Sequence, residues 1–243
     1  MTETRAGPSS RTHSASQLWC CYSAIPFMVL FGVGWVLVAR FLPPLDPGMP
    51  AAALADLFRA HGVRIRLGMM ICMFSTLFLL PFSALVSAQI ARIEGDGPRV
   101  WTYTSLMASA GNIIGFIFPL MFWNVAAFRV ERAPELIMLL NDLAWLPFTG
   151  MAVPFIALPI CVAIAGFIDS AATPVFPRWF CYYSIATTVV IMPAALVIFF
   201  QSGWFAWNNL FGWWLPLADF FMWLLVLFFL LRRGVLLQAG AAT

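Results

Sequence analysis

The amino-acid sequence predicts an all-α integral membrane protein: a six-transmembrane helical bundle with one or two short interfacial helices. Three observations carry that reading. Of the 243 residues, 63% are apolar and only 9% charged, too few charges to cover a water-soluble fold. Apolar runs recur with the roughly 20-residue length needed to cross about 30 Å of hydrocarbon. Short segments rich in charge, proline and glycine separate those runs.

Residues 1–18, MTETRAGPSSRTHSASQL, read as a polar, disordered cytoplasmic leader. The membrane domain follows over 19–233, with spans expected at about 19–42, 67–90, 102–123, 151–168, 180–200 and 211–231. Residues 234–243 read as a flexible cytoplasmic tail. Trp19 and Tyr22 open span 1 where a membrane interface favours amphipathic aromatics, and Trp179 is a similar anchor before span 5. Gly32 and Gly34 allow another helix to approach span 1 closely. The run PPLDPG, 43–48, ends it with turn chemistry.

Residues 51–66 place Leu54, Leu57 and Phe58 on one side and Asp56 and Arg59 elsewhere. That pattern suits a helix lying on the membrane surface, with Gly62 weakening its last turn. Pro81 introduces a kink into span 2. Span 3 alternates small and bulky residues and holds Asn112 near mid-membrane. Pro134 and Glu135 start a second interfacial helix that ends near Trp145 and Pro147, with Asn141 and Asp142 facing either the aqueous edge or the interior. Pro154 and Pro159 make span 4 a broken or strongly tilted helix. Asp169 and Arg178 flank the next connection and are expected to close it with a salt bridge.

Six spans put both termini on one side. Seven arginines flank the side of the termini and six the other, and the acids Asp46, Asp56, Glu131, Glu135 and Asp142 accompany the six. The expected location is therefore the bacterial inner (cytoplasmic) membrane, multi-pass, with both termini cytoplasmic.

Composition also excludes function classes. All thirteen basic residues are arginine, so no retinal Schiff base or catalytic lysine exists. Neither histidine, His13 or His61, falls in a span, which removes bis-histidine haem, histidine-rich di-iron and HExxH zinc sites. No GxSxG, P-loop or dinucleotide fingerprint occurs. No catalytic residue, cofactor or metal ligand is assigned, and no basic patch with interleaved aromatics points to nucleic acid. The five cysteines sit within or beside spans without a CxxC pair and read as small buried residues.

One group stands out. Asp219 lies inside the last apolar run, where an ionised carboxylate costs several kcal/mol unless it is neutral, paired or wet. No arginine is expected at its depth. Its candidate neighbours are Asn112 of span 3, Tyr182, Tyr183 and Thr187 of span 5, and Trp223 on its own helix. Two readings follow: a relay or ligand site built on Asp219, or a protonated carboxyl that tethers helices. The expected role is a non-catalytic membrane subunit or scaffold of a larger complex, with a site for a lipid or hydrophobic small molecule. The alternative is a small transporter or lipophile-binding protein using Asp219; an enzyme with a partner-supplied cofactor ranks third. Expected partners are membrane lipids and either another membrane subunit or a second copy of the chain.

Overall fold

A computed structural model describes residues 8–129 and 131–241. Among them, six helical segments are long and apolar enough to cross a membrane: Ser14–Ala39, Ala51–Glu94, Val100–Phe128, Pro134–Ile168, Arg178–Phe199 and Leu210–Gly240. The protein is a six-span helical bundle. Span 1 comprises α1 (Pro8–Tyr22), α2 (Ala24–Gly32) and a π-helical end, Val33–Ala39. Span 2 joins α3 (Ala51–Ser75) to α4 (Leu79–Glu94) through one 3-10 turn, Thr76–Phe78, just before Pro81. Span 3 is α5 (Val100–Phe128), and span 4 is α6 (Pro134–Gly150) followed by α7 (Ala152–Ile168). Span 5 is α8 (Arg178–Ile191) with a 3-10 end, Met192–Phe199. Span 6 begins π-helical, Leu210–Trp214, and continues as α9 (Leu215–Ala241).

Pro154 and Pro159 do not break the helix as expected, since α7 is continuous; the interruption precedes them at Met151, whose backbone (φ −77°, ψ 63°) separates α6 from α7. Trp19 and Trp179 are exposed, as interface anchors are. The stripe Leu67, Met70, Phe74, Leu77 and Leu80 is exposed at helical spacing along span 2 and forms part of the lipid-facing surface.

Several expectations are corrected. The segment 51–66 does not lie flat as a separate helix: it is the first part of the 44-residue helical stretch Ala51–Glu94. At 1.5 Å per residue that stretch is about 66 Å long, twice the hydrocarbon thickness, so its start rises beyond the membrane core. Gly62 does not interrupt it, because Gly62 is buried between the fully buried Phe58 and Ile65. Their packing outweighs the roughly 1 kcal/mol helix penalty of glycine. The second interfacial helix is α6, which packs along α5 and α3 and runs on into α7. Together these segments and the 200–209 connection make a cap at the end of the bundle opposite the termini.

The leader and tail are also more ordered than expected. Residues 8–18 are helical, residues 1–7 lie outside the described residues, and α9 continues to Ala241. A glutamine clasp accounts for both: buried Gln89 of α4 donates to Gln17 Oε1 (3.1 Å) and accepts from Gln238 Nε2 (2.9 Å). Val235 of the former tail is buried, and Gly234 packs on Val175. Asp169 and Arg178 form no ion pair among the described residues. Arg178 Nη1 donates instead to the Phe167 carbonyl at 2.6 Å, and Asp169 Oδ1 accepts from the Ala171 N–H.

Spans 1 and 2 approach closely at Gly34 and Gly68. A Cβ at Gly34 would stand 2.7 Å from Gly68 O and Cys72 Sγ; one at Gly68 would stand 2.6 Å from Gly34 O. Cys72 Sγ, buried in the seam, donates to Phe31 O at 3.4 Å. Of the two expected contact glycines only Gly34 is used, since Gly32 has no neighbour within 4 Å of a Cβ. Gly34→Ala should therefore lower the thermal midpoint in detergent by an amount matching about 1–3 kcal/mol of overpacking. Gly32→Ala should leave it unchanged or raise it, and the two melts measured side by side check this contrast.

Candidate functional site

Asp219 stands on α9 one turn after the π-helical start of span 6. Tyr183 of α8 donates its hydroxyl to Asp219 Oδ1 at 3.2 Å. Oδ2 is buried and has no hydrogen-bond partner. Thr187, one turn along α8 from Tyr183, brings its hydroxyl toward the same carboxylate, and neither its Oγ1 nor Asp219 Oδ2 has a formed hydrogen bond among the described residues. Spacing explains the set: positions 183 and 187 share a helix face.

Trp223 is one turn beyond Asp219 on α9. Its indole N–H donates to Ser184 Oγ at 2.9 Å, and both side chains are buried. This bond fixes the rotation of α9 against α8 and so holds Asp219 toward Tyr183. Asn112 of α5 does not hydrogen-bond Asp219. It lines a small cavity of about 30 Å³ with Thr187 and Trp223, and its Oδ1 is buried without a donor. Ser109 Oγ, nearly one turn earlier on α5, is also unpartnered. Tyr182 takes no part: it is 66% exposed and packs edge-on against Phe167, 5.3 Å between ring centres.

A second cavity of about 70 Å³, bordered by Thr149, Trp213 and Pro216, shares Phe116, Phe155, Ile191 and Phe220 with the first. The two form an aromatic cleft between spans 2 to 6, with Asn112 and Thr187 at one end. Thr187 offers it a hydroxyl donor and Asn112 an amide acceptor, while Asp219 lines neither cavity and is the chain neighbour of Phe220 in their shared wall. Among the described residues no group of three or more His, Cys, Asp or Glu side chains could hold a metal ion.

Sequence reasoning missed Ser184, although its place four residues before Thr188, whose Oγ1 donates to Ser184 O at 3.1 Å, marks a polar face of α8. It also missed the aromatic core next to the cleft. Trp35 lies 5.2 Å from Trp123, 5.8 Å from Trp145, 5.7 Å from Trp213 and 5.0 Å from Phe148, centre to centre. Asn141 points inward, accepting from Trp123 Nε1 at 3.2 Å. Only the crowding of eleven tryptophans into one chain hinted at this core.

Tyr183→Phe removes the hydrogen bond that Asp219 Oδ1 accepts and should destabilise the protein by about 1–3 kcal/mol, the cost of leaving a buried polar group unsatisfied. Tyr182→Phe should be silent. Detergent melts of the two single variants test whether these neighbouring tyrosines divide in this way.

Compared with known proteins, the chain matches no protein-family model, no curated protein sequence and no solved structure.

Proposed function

We propose that the chain is a non-catalytic membrane subunit that holds a lipophilic molecule, a lipid or hydrophobic small molecule, by its polar group at Asp219. The observation that carries this reading is the half-used carboxyl group: Oδ1 is held by Tyr183, while Oδ2 is buried and open. An unsatisfied buried oxygen costs stability, and only the Thr187 hydroxyl stands near this one. A hydroxyl or amine on a lipophile supplies the missing donor. The unpartnered Thr187 and Asn112 oxygens give two further polar contacts at one end of the aromatic cleft.

Transport is a second reading, supported by a separate observation. The π-helical segments Val33–Ala39 and Leu210–Trp214, the break at Met151 and the 3-10 segment Met192–Phe199 all lie on the cap side of their spans. Irregular backbone at membrane depth belongs where it lines a site or moves.

Native mass spectrometry of the protein purified in mild detergent, wild type beside Asp219→Asn, separates these readings. The amide keeps the shape but replaces one acceptor oxygen with a donor. Under the binding reading a co-purifying lipophile falls roughly tenfold or more in occupancy while associated chains remain, the loss expected for a hydrogen bond to a carboxyl group. Unchanged lipophile content with released partner chains would leave only the scaffold. Unchanged composition with lost uptake in vesicles would favour transport.

A further inference from the structure

The cap carries a second polar cleft, which shares no lining residue with the aromatic one. A cleft of about 510 Å³ lies where α3 passes the end of span 1 and the end of α5. Arg59, His61, Arg64 and Arg66 border it, and no acidic residue does. Its volume falls within the about 300–1,000 Å³ of ordinary ligand sites.

Two features define what fits. The first is charge that the protein leaves unanswered. Arg59 is paired with Asp56 at 2.9 Å, but Arg64 Nε is buried without an acceptor. Arg66 uses its Nε only on the Gly62 carbonyl of its own helix, at 3.4 Å. Planar guanidinium groups match phosphate oxygens and are less strongly hydrated than ammonium groups, which suits a partly dry anion site.

The second feature is position. Val63, Leu67 and Phe128 border the same cleft, and their exposures of 72%, 46% and 63% continue the lipid-facing stripe of span 2. On the other side of the cleft α3 exposes Ala52, Ala53, Asp56 and Arg59. Along α3 the arginines alternate with the exposed Val63 and Leu67, so guanidinium groups and apolar side chains stand at one level near the cap end of span 2.

We propose that this cleft binds the phosphate of an anionic glycerophospholipid, with Arg64 and Arg66 holding the phosphate oxygens and Val63, Leu67 and Phe128 lying along the acyl chains. A free phosphate has the same headgroup chemistry but makes no use of the apolar wall. Surface arginines attract anionic lipid without a defined site; here the buried Nε, the walls and the apolar continuation localise it.

The full-length protein is placed in nanodiscs of phosphatidylcholine with increasing phosphatidylglycerol, and retained lipid is counted by native mass spectrometry. Wild type should keep one phosphatidylglycerol per chain in preference to phosphatidylcholine. Arg64→Gln/Arg66→Gln should lower that retention roughly tenfold or more, and Arg233→Gln at the opposite end should not change it. Arg66→Gln alone, which removes only a bond within its own helix, should give a smaller loss and serves if the double variant does not fold. Excess inorganic phosphate should not displace the lipid. Equal retention in wild type and Arg66→Gln overturns the proposal, as does equal loss in Arg233→Gln, which means diffuse attraction. Displacement by inorganic phosphate at the affinity of the lipid overturns it in favour of a soluble anion.

Discussion

The contact of Trp35 with the aromatic rings of three other spans is the constraint on which the cap half of the bundle depends. Within a bilayer, apolar helices gain little from burying each other's side chains, because lipid is equally apolar. What remains is dispersion between closely packed atoms and the edge-to-face preference of aromatic rings. Trp35 of span 1 collects both: Trp123 from span 3, Trp145 and Phe148 from span 4, and Trp213 from span 6. Trp35 and Trp213 both ride on π-helical windings. The extra residue per turn changes the direction of a side chain, and both indoles point into the core. Regular helix geometry has been given up where these rings meet.

The opposite half is held differently. There the helices are regular and meet through small polar links: the Gln17–Gln89–Gln238 clasp, Ser87 with Ser105 at 2.7 Å, and Cys21 donating to Phe228 O at 3.5 Å. Glu94 serves the same end by accepting from the N–H groups of Trp101 and Thr102 at 2.9 and 2.8 Å, where an anion meets the positive end of α5. Asp219 lies between the two halves. Its facing depends on the π-helical winding before it, because one residue more or less in that segment rotates the following helix by about 100°. The aromatic packing of Trp213 and the hydrogen bond of Tyr183 are thus two ends of one arrangement.

Much of this was legible in the sequence, and the rest fails for identifiable reasons. Hydropathy and length located the six spans, since the bilayer sets a length that composition must meet. The double proline 154/159 suggested a broken or tilted span 4, yet α7 runs unbroken through Pro159 and the interruption stands before it at Met151. Asp219 and its partners on span 5 followed from the absence of any arginine at matching depth. Tyr182 was placed beside it in error: successive helix residues point about 100° apart, so only one of Tyr182 and Tyr183 faces α9. The surface helices and the tail were misread because local polarity shows what a segment contains and not what stands next to it. Gly62 looked like a stop, yet Phe58 and Ile65 bury it; the tail looked structureless, yet Gln238 has a partner 149 positions earlier in the chain.

If the proposed lipophile binds, the size of the aromatic cleft bears on how it enters. Cavities of about 70 and 30 Å³ are far smaller than a lipophile requires. Their shared wall contains Phe155 and Phe220, stacked edge to face at 5.6 Å and both partly exposed. Separating such a pair costs about 0.5–1.5 kcal/mol beyond area burial, an amount that one good hydrogen bond to the open Asp219 oxygen offsets. Thr149 and Ala152, on either side of the helix break at Met151, and Ala194 of the 3-10 segment Met192–Phe199 line the larger cavity. Under the proposed binding, entry from the side of the bundle, between the irregular ends of spans 4, 5 and 6, would bring an apolar body in from the lipid with its polar group arriving last.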